Sequence, residues 1–271
     1  MIVLVTGASS GIGYESAILL AKKGHKVYGG ARRVERMEPL REYGITPLSL
    51  DVTSEASMQA CVADILAAEG RIDVLVNNAG YGYFGAIENV TMEEARRQLE
   101  VNVFGLARLT QLVLPSMREH GFGRIVNVGS VVGRVVLPFG GWYHVSKYSV
   151  EALSDALRME LKPFGIDVVL IEPGGINTEW GHIAADHLEE SCKDTPYAAS
   201  AQKEARMMHW AYNGKYLLSR PAVVSRAIGK AVNARHPRHR YHPGTGALFL
   251  LWAHAILPTR CWDALLRRVL G

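Results

Sequence analysis

A tyrosine and a lysine four residues apart, Tyr143 and Lys147, are the pair in this sequence best suited to acid–base chemistry. They open a helical pattern, in which a spacing of four places both side chains on one face. A lysine ammonium beside a phenol favours the phenolate and lowers its pKa from about 10, so the tyrosine can exchange a proton with a substrate oxygen near neutral pH. Ser130, at the end of a predicted strand, can hydrogen-bond the same oxygen. Taken alone, Tyr-x-x-x-Lys is more often a pair on a helix surface, so the other motifs must decide.

A second motif, Thr6-Gly7-Ala8-Ser9-Ser10-Gly11-Ile12-Gly13, follows the first apolar run and leads into a helical pattern. Glycine permits a tight turn and a close approach of the backbone to a pyrophosphate. The N-terminus of the following helix offers N–H groups to the phosphates. The spacing, G-x-x-x-G-x-G, differs from the usual dinucleotide fingerprint. The motif predicts a nucleotide site, with a plain strand-to-helix turn as the alternative.

The residues after the second predicted strand favour NADP(H), with NAD(H) as the second choice. An NAD site has a carboxylate here for the ribose 2′-hydroxyl, whereas this chain has Arg32 and Arg33. Guanidinium groups pair with a 2′-phosphate through bidentate hydrogen bonds, and a solvated basic turn is the alternative. Asp51 and Val52, after the third strand, are placed to meet the adenine.

The elements that must position these residues follow from the hydrophobic pattern. Short apolar runs alternate with longer helical patterns, which predicts an α/β fold: one doubly wound Rossmann-type domain over residues 1–271 with a seven-stranded parallel sheet. The predicted strands are Ile2–Thr6, Lys26–Ala31, Thr46–Leu50, Asp73–Asn77, Arg124–Val128, Asp167–Glu172 and Arg240–His242. Helix ends are expected at Gly24, Gly70, Gly121 and Gly165, and helix starts at Thr91 and Pro221.

Residues 176–215 contain no clear strand and are rich in alanine, methionine and aromatic residues. An insertion this long in a compact domain is usually a binding loop or lid. We expect a mobile helical lid over the substrate, with a rigid helical pair on the sheet edge as the alternative. The tail, residues 244–271, is predicted to form two short helices separated by Pro258.

Taken together, the motifs strongly resemble the short-chain dehydrogenase/reductase family. The glycine-rich turn is followed in order by Asn77-Asn78-Ala79-Gly80, Asn102, Ser130, Tyr143, Lys147 and Pro173-Gly174-Gly175-Ile176-Asn177-Thr178. The resemblance implies that Tyr143 is the acid–base group and that Ser130 holds the substrate oxygen. It implies that Lys147 binds the nicotinamide ribose and lowers the pKa of Tyr143. It also implies that Asn102 kinks its helix and holds a water that links Lys147 to solvent.

The motifs and the resemblance together define a set of expected cofactor contacts. They are Gly7, Ser9, Ser10, Gly11, Ile12, Gly13, Arg32, Arg33, Asp51, Val52, Asn78, Ala79, Gly80, Asn102, Tyr143, Lys147, Pro173, Gly174, Ile176 and Thr178. Ser10 stands where many NADP-preferring members of the family carry a basic residue, so Arg32 and Arg33 alone carry the preference for NADP.

The expected substrate-pocket residues follow these motifs or lie in the insertion. They are Tyr81, Tyr83, Val132, Phe139, Trp180, Met207 and Trp210. Such walls favour a bulky apolar substrate, and the chain resembles the branch that includes 17β-hydroxysteroid and retinol dehydrogenases. We therefore expect a secondary alcohol and a ketone or aldehyde to be interconverted on a hydroxysteroid- or retinoid-like molecule. A reductase of 3-oxoacyl thioesters or sugars, and a non-catalytic NADP-binding regulator, stay open as alternatives.

Composition and charge restrict the partners and the compartment. A formal net charge of +4 over 271 residues is too mild to indicate nucleic acid. Three scattered cysteines and the lack of an N-terminal targeting signal favour a reducing, cytoplasmic location. The longest apolar run, residues 247–257, is shorter than the roughly 20 residues that span a bilayer, although the tail could contact a membrane surface.

Two further expectations concern metals and assembly. The histidines of residues 236–242 lack the spacing of metal ligands, so no metal is expected. The resemblance implies a homo-oligomer, a dimer or tetramer, formed through the helices near residues 102–118 and 146–164.

Overall fold

Seven parallel strands form the central sheet of the computed structural model, which describes residues 1–214 and 218–270. The strand order is β3-β2-β1-β4-β5-β6-β7. The strands are β1 (Ile2–Thr6), β2 (Lys26–Ala31), β3 (Thr46–Ser49), β4 (Val74–Asn77), β5 (Gly123–Val128), β6 (Ile166–Ile171) and β7 (Arg240–Tyr241). The predicted fold class and the predicted strands are confirmed, and the ends that differ do so by one residue. Asp73 and Glu172 fall just outside their strands, and their carboxylates enter side-chain hydrogen bonds and ion pairs.

Helices connect the strands and cover both faces of the sheet. Among the described residues they are α1 (Gly11–Lys22), α2 (Glu55–Glu69), α3 (Met92–Leu99), α4 (Gly105–Glu119), α5 (Gly141–Leu161), α6 (Trp180–Cys192), α7 (Ala198–Asn213), α8 (Pro221–Asn233), α9 (Ala247–Ile256) and α10 (Thr259–Leu270). The four glycines predicted to end helices have positive φ angles. The Thr91 hydroxyl caps α3 by accepting from the Glu94 N–H at 3.2 Å, and Pro221 opens α8 as predicted.

The core consists of two apolar layers, one on each face of the sheet. Side chains alternate along a strand, so Val3 and Val5 of β1 pack in the layer covered by α1 and α8. Leu4, between them, packs in the layer covered by α2 and α4. Each layer is made of side chains distant in sequence, which holds the carboxyl ends of the strands in fixed relative positions.

The insertion and the tail are both helical. The helical pair α6–α7 is packed through a small cluster that includes Ala185, Leu188 and Ala201. Residue 215, the predicted end of the insertion, lies outside the described residues. The tail forms α9 and α10 on either side of Pro258, as predicted, and its residue 271 also lies outside them. None of the described helices is long and apolar enough to cross a bilayer.

Candidate active site

The turn between β1 and α1 leaves room for a phosphate-bearing ligand. Gly7 and Gly11 have φ angles of 67° and 54°, which favour glycine. A methyl group built on Gly13 would lie 2.3 Å from the Gly7 carbonyl oxygen, so the helix can start this close to the turn only with glycine. The first N–H groups of α1 have no acceptor within the helix. Ser10 is the N-cap residue, and its hydroxyl makes no capping hydrogen bond. The turn therefore fits the dinucleotide expected from the sequence.

Thr6 and Asn78 join the ends of β1 and β4, where the order of the strands reverses. The Thr6 hydroxyl accepts from the N–H groups of Asn78 at 3.0 Å and Ala79 at 2.9 Å. The Asn78 side chain donates to the Thr6 carbonyl at 2.9 Å. These bonds hold Ala79 and Gly80 beside the glycine-rich turn. Ligands of open α/β sheets bind at such a reversal point.

Arg32 and Arg33 follow β2 and are exposed to solvent. Asp51 follows the neighbouring strand, β3. Burial opposes the ionisation of Asp51, but hydrogen bonds from Thr53 and the charge of Arg32 outweigh it and lower the pKa of this carboxyl. The predicted 2′-phosphate and adenine residues therefore lie next to each other at one side of the candidate cofactor cleft.

Asn102 lies in a π-helical stretch, Glu100–Phe104, between α3 and α4. Such stretches are frequent at functional sites, and this one matches the expected distortion of the helix. The Asn102 side-chain amide exchanges hydrogen bonds with the backbone of Tyr81, at 2.8 and 3.0 Å. It also donates to the Ser146 hydroxyl on α5 at 3.0 Å. Asn102 thus connects the segment after β4 to the helix that carries Tyr143. Its water link to Lys147 stays a prediction.

The three side chains expected to act on the substrate lie together. Tyr143 and Lys147 occupy the first two turns of α5, and the Lys147 Nζ lies 5.8 Å from the centre of the Tyr143 ring. Ser130 follows β5, and its hydroxyl lies close enough to Tyr143 to favour ionisation of the phenol. The Ser130 hydroxyl also accepts from the Val132 N–H at 3.3 Å. Two hydroxyl groups and an ammonium group therefore converge at the carboxyl edge of the sheet.

The pKa of Tyr143 differs from the expectation. Burial raises it, the nearby Tyr212 raises it further, and the Ser130 hydroxyl only partly opposes them. The Lys147 ammonium donates to the Val128 carbonyl at 2.9 Å. Burial lowers the pKa of Lys147 to about 8, although the charge of Glu151 opposes this shift. The effect of Lys147 on the pKa of Tyr143 stays a prediction, because the ammonium donates to the backbone in the structure described.

Aromatic rings enclose Tyr143. The ring of Trp180, the first residue of α6, lies 5.1 Å from it, and the ring of Phe84 lies 5.8 Å from it. Tyr212 of α7 packs against Gly181, where an added methyl group would lie 2.2 Å from its ring. Trp180 was predicted as a pocket residue, whereas Phe84 and Tyr212 were not. Both could have been predicted from the sequence, since Phe84 follows Tyr81 and Tyr83 in one loop and Tyr212 is one of the aromatic residues of the insertion.

Two other predicted pocket residues, Tyr83 and Phe139, pack against α6 and against the residue that precedes α7. Tyr83 stacks on His187 of α6 with ring centres 4.7 Å apart. Phe139 packs edge-on against Tyr197 at 6.4 Å. Its φ angle of 59° is unusual for a non-glycine residue. The buried hydroxyl of Tyr81 has no hydrogen-bond partner among the described residues.

The prediction for Trp210 is wrong. This residue lies on α7 with 65% of its surface exposed, on the side of the helix away from the apolar cluster beneath it. Met207 is half-buried, and its neighbour Met208 is the methionine that packs against that cluster. Helical periodicity decides this, because adjacent residues on a helix point in different directions. Val132 is half-buried beside Ser130, as a pocket residue should be.

The segment after β6 completes the site. The Pro173 carbonyl accepts from the Val131 N–H at 3.1 Å, which fixes it beside Ser130. The Ile176 side chain is buried in the core, so only its backbone can meet a cofactor. Thr178 lies beside the glycine-rich turn, with its methyl carbon 3.6 Å from a methyl group built on Gly11.

A buried ion network lies one helical turn beyond Lys147. Arg240 of β7 pairs with Glu151 of α5, with Glu172 at 3.3 Å and with Asp155 at 2.7 Å. His242 lies 3.0 Å from Glu172. Burial raises the pKa of Glu151 to about 7, against the effect of Arg240 and with that of Glu172. The network attaches the last strand to the helix that bears Tyr143. Sequence analysis missed it because its members are remote in sequence.

The fold and this geometry agree with the comparison to known families. A family model described as short chain dehydrogenase matches residues 1–188. The chain belongs to this family, and it is an oxidoreductase of the class that acts on CH–OH groups with a nicotinamide cofactor.

Two curated relatives carry informative names. The NADPH-dependent 3-dehydrocapnine reductase of Ornithobacterium rhinotracheale is 36% identical over 273 residues, which cover 96% of this chain and 94% of the relative. The 3-ketodihydrosphingosine reductase of Bacteroides thetaiotaomicron is 43% identical over 178 residues, which cover 65% of this chain and 64% of the relative.

Solved structures agree on the fold over nearly the whole chain. A short-chain dehydrogenase from Streptomyces avermitilis superposes with a TM-score of 0.80 at 33% identity, covering 98% of this chain and 94% of the other. An actinorhodin polyketide ketoreductase with NADPH gives 0.75 at 32% identity, covering 89% and 94%.

Proposed function

We propose that this protein is an NADP(H)-dependent oxidoreductase that interconverts a ketone and a secondary alcohol on a bulky, largely apolar substrate. One observation carries the proposal: Tyr143 lies near Ser130 and Lys147 and beside the rings of Phe84 and Trp180. A proton donor with apolar walls suits a carbonyl group on an apolar body.

The preference for NADP(H) is supported by charge at the cofactor cleft. Arg32 and Arg33 stand where an NAD site would place an acid. The actinorhodin ketoreductase binds NADPH, and the 3-dehydrocapnine reductase is named as NADPH-dependent. When bound, the cofactor supplies the hydride to the carbonyl carbon.

The residues of this chain would supply the proton and the orientation. Ser130 and Tyr143 donate hydrogen bonds to the substrate oxygen, and Tyr143 transfers its proton to that oxygen as the hydride reaches the carbon. The raised pKa of Tyr143 keeps the phenol protonated, which is the form that reduction needs. Lys147 would hold the nicotinamide ribose. Asn102 fixes the segment that contains Tyr81 by donating to its carbonyl. Trp180 and Phe84 exclude water from the reacting carbon.

A long-chain 3-keto amphiphile is our first choice of substrate, and a hydroxysteroid- or retinoid-like molecule is the second. Both named relatives act on compounds with a carbonyl at carbon 3, and dihydrosphingosine is a long-chain amino alcohol. The alternative function is the reduction of a 3-oxoacyl thioester, which the similarity to a polyketide ketoreductase favours. A sugar is less suited to these aromatic walls.

A substrate panel with NADPH tests the proposal. We would follow NADPH absorbance with 3-ketodihydrosphingosine, a ketosteroid, retinal and acetoacetyl-coenzyme A. We expect turnover of an apolar ketone and kcat/KM at least tenfold lower for the thioester. Tight NADPH binding without turnover of any carbonyl would indicate a non-catalytic regulator and contradict the proposal.

Assembly and location complete the proposal. We propose a dimer or tetramer formed through α4 and α5. The exposed apolar residues near this surface include Phe104, which directly precedes α4, and Val145 and Met159 of α5. The free cysteines Cys61, Cys192 and Cys261 suit a reducing compartment such as the cytoplasm.

A further inference from the structure

Helix α9 presents an apolar face to solvent. Leu248, Phe249, Trp252 and Ile256 are 66%, 70%, 63% and 58% exposed. Their spacing places them on one contiguous side of the helix, and α9 contains no acidic residue, lysine or arginine. Four large apolar side chains exposed together are uncommon on a protein surface and indicate an interaction site. We call these four residues the α9 face.

The opposite side of α9 already holds the tail to the protein. Ala253 packs with Val135 and with Trp262 of α10. The His254 ring lies edge-on to Trp262 at 5.2 Å. The fold therefore does not need the α9 face, which has no covering element among the described residues.

Positive charge is concentrated in the same part of the chain. Arg240 is paired with carboxylates in the ion network. Without it, residues 234–271 contain five arginines and one aspartate, a formal charge of +4, which equals that of the whole chain. Arg260, Arg267 and Arg268 of α10 are exposed. Exposed aromatic residues flanked by arginines are typical of helices that lie in the interface of an anionic membrane.

The α9 face also lies near the candidate active site. Helix α9 packs against the turn Val131–Gly133, which directly follows Ser130. A methyl group built on Gly174 would lie 2.9 Å from the Ala247 N atom, so the start of α9 touches the segment after β6. The turn after Ser130 and the segment after β6 therefore connect the edge of the candidate pocket to helix α9.

We propose that the α9 face docks the protein on an anionic lipid surface, with the arginines of α10 at the headgroups, so that an apolar substrate enters the pocket from the bilayer. The docking itself stands on exposure and charge. The delivery of substrate rests on the proposed function.

Vesicle sedimentation of the full chain tests the docking without any catalysis. The probes are vesicles of phosphatidylcholine alone and vesicles that also contain phosphatidylglycerol, each at low and high NaCl. We expect binding to the anionic vesicles that weakens with salt. The double variant Phe249→Ser/Trp252→Ser should lower the partition coefficient at least about tenfold, since both rings lose their burial in lipid. Arg267→Glu/Arg268→Glu should lower it on anionic vesicles.

Trp210→Ser is the matched control, because Trp210 is 65% exposed on another helix. It should leave vesicle binding unchanged. Absence of binding by the wild type, equal binding to neutral vesicles, or full binding by the Phe249→Ser/Trp252→Ser variant would overturn the proposal. Light scattering provides a further test. If the Phe249→Ser/Trp252→Ser variant is a smaller oligomer than the wild type, and the wild type does not bind vesicles, the α9 face is a contact with a second copy and the proposal is overturned.

The catalytic arm separates the two proposals. If an apolar ketone is reduced, presenting it in anionic vesicles should raise the rate of the wild type more than that of the Phe249→Ser/Trp252→Ser variant. Both proteins should reduce a short water-soluble ketone at equal rates. If no ketone is reduced while vesicle binding follows the expected pattern, the proposed function fails and the docking surface stands.

Discussion

At the scale of single residues, the chemistry depends on where the proton of Tyr143 resides. Burial between aromatic rings raises the pKa of the phenol, while burial lowers the pKa of Lys147 to about 8. Both shifts have one cause, since a poorly hydrated site disfavours charge on either group. A ribose hydroxyl that drew the Lys147 ammonium away from Val128 would bring positive charge toward the phenol and ease its ionisation.

Tyr143→Phe should abolish turnover while NADPH binding survives. The ring is retained, but the proton donor is lost, so kcat should fall by about 10²–10⁴-fold. The measurement is kcat with the best ketone of the panel, together with NADPH affinity by fluorescence titration. A variant that keeps most of its kcat would remove Tyr143 from the reaction.

Arg32→Ala should weaken NADPH binding and leave NADH binding nearly unchanged. Losing a charge-assisted hydrogen bond to a 2′-phosphate costs about 1.5–3 kcal/mol. The quantity to compare is the ratio of kcat/KM for NADPH and NADH in the wild type and the variant. Arg36→Ala, an exposed arginine in the same segment, is the control. An unchanged ratio, or equal use of both cofactors by the wild type, would contradict the assignment.

At the scale of elements, α6 and α7 cover the site. Trp180 lies over Tyr143 and presses on Gly82, where an added methyl group would lie 2.5 Å from its indole ring. If the substrate has the size of a steroid or a sphingoid base, we expect this ring to move and the helical pair to open. The segment follows the glycines at positions 174 and 175, which can absorb the rotation.

Hydrogen exchange can test the opening of this lid. Residues 176–214 should exchange fast in the free protein and slowly with NADP and an apolar product analogue, because closure buries their backbone. Helix α2, whose apolar side chains pack against the sheet and α4, should show no change. Equal protection of residues 176–214 in both states would mean a rigid helical pair.

The Arg240 network should stabilise the packing of β7 on α5. Arg240→Met leaves two buried carboxyl groups without their cation, so the free energy of unfolding should fall by about 3–5 kcal/mol at pH 8. Since the pKa of Glu151 is raised to about 7, its carboxyl is protonated at pH 5 and the loss should shrink there. Urea unfolding at pH 5 and pH 8 measures the difference.

Arg158→Met is the control for the network. It removes a pair with Asp155 at the surface, which is worth at most about 1 kcal/mol. A loss for Arg240→Met that is equally small, or equal at pH 5 and pH 8, would show that the carboxyl groups do not depend on Arg240.

At the scale of the whole molecule, α4 and α5 are the expected interface between copies, and α5 carries exposed apolar side chains. Met159 of α5 is 64% exposed. Light scattering at micromolar concentration should give a multiple of the single-chain mass of 29.7 kDa. Met159→Glu should reduce it, because two copies of the charge would be buried at a two-fold contact. A mass near one chain for the wild type would contradict the prediction.

The sequence by itself determined the layers of the fold and the order of the motifs. Strands buried on both faces read as runs of Val, Ile and Leu, and the glycines at 24, 70, 121 and 165 ended helices as expected. Tyr143, Lys147 and Ser130 were identified because spacing and strand ends bring them to one edge of the sheet. These are local or periodic signals, which can be read from the sequence without knowing which residues lie nearby in space.

Only the tertiary structure decided what surrounds those residues. The pKa of Tyr143 rises because it is buried beside Phe84 and Trp180 and because Tyr212 acts on it electrostatically, and these rings come from separate segments. Trp210 was assigned to the pocket on its residue type, but the face of a helix that meets the core depends on what packs against it. The pairing of Arg240 with Glu151 was likewise not predicted, because the two residues are 89 positions apart and only the fold brings them together. Burial and electrostatic environment are sums over neighbours in space, and sequence distance does not report them.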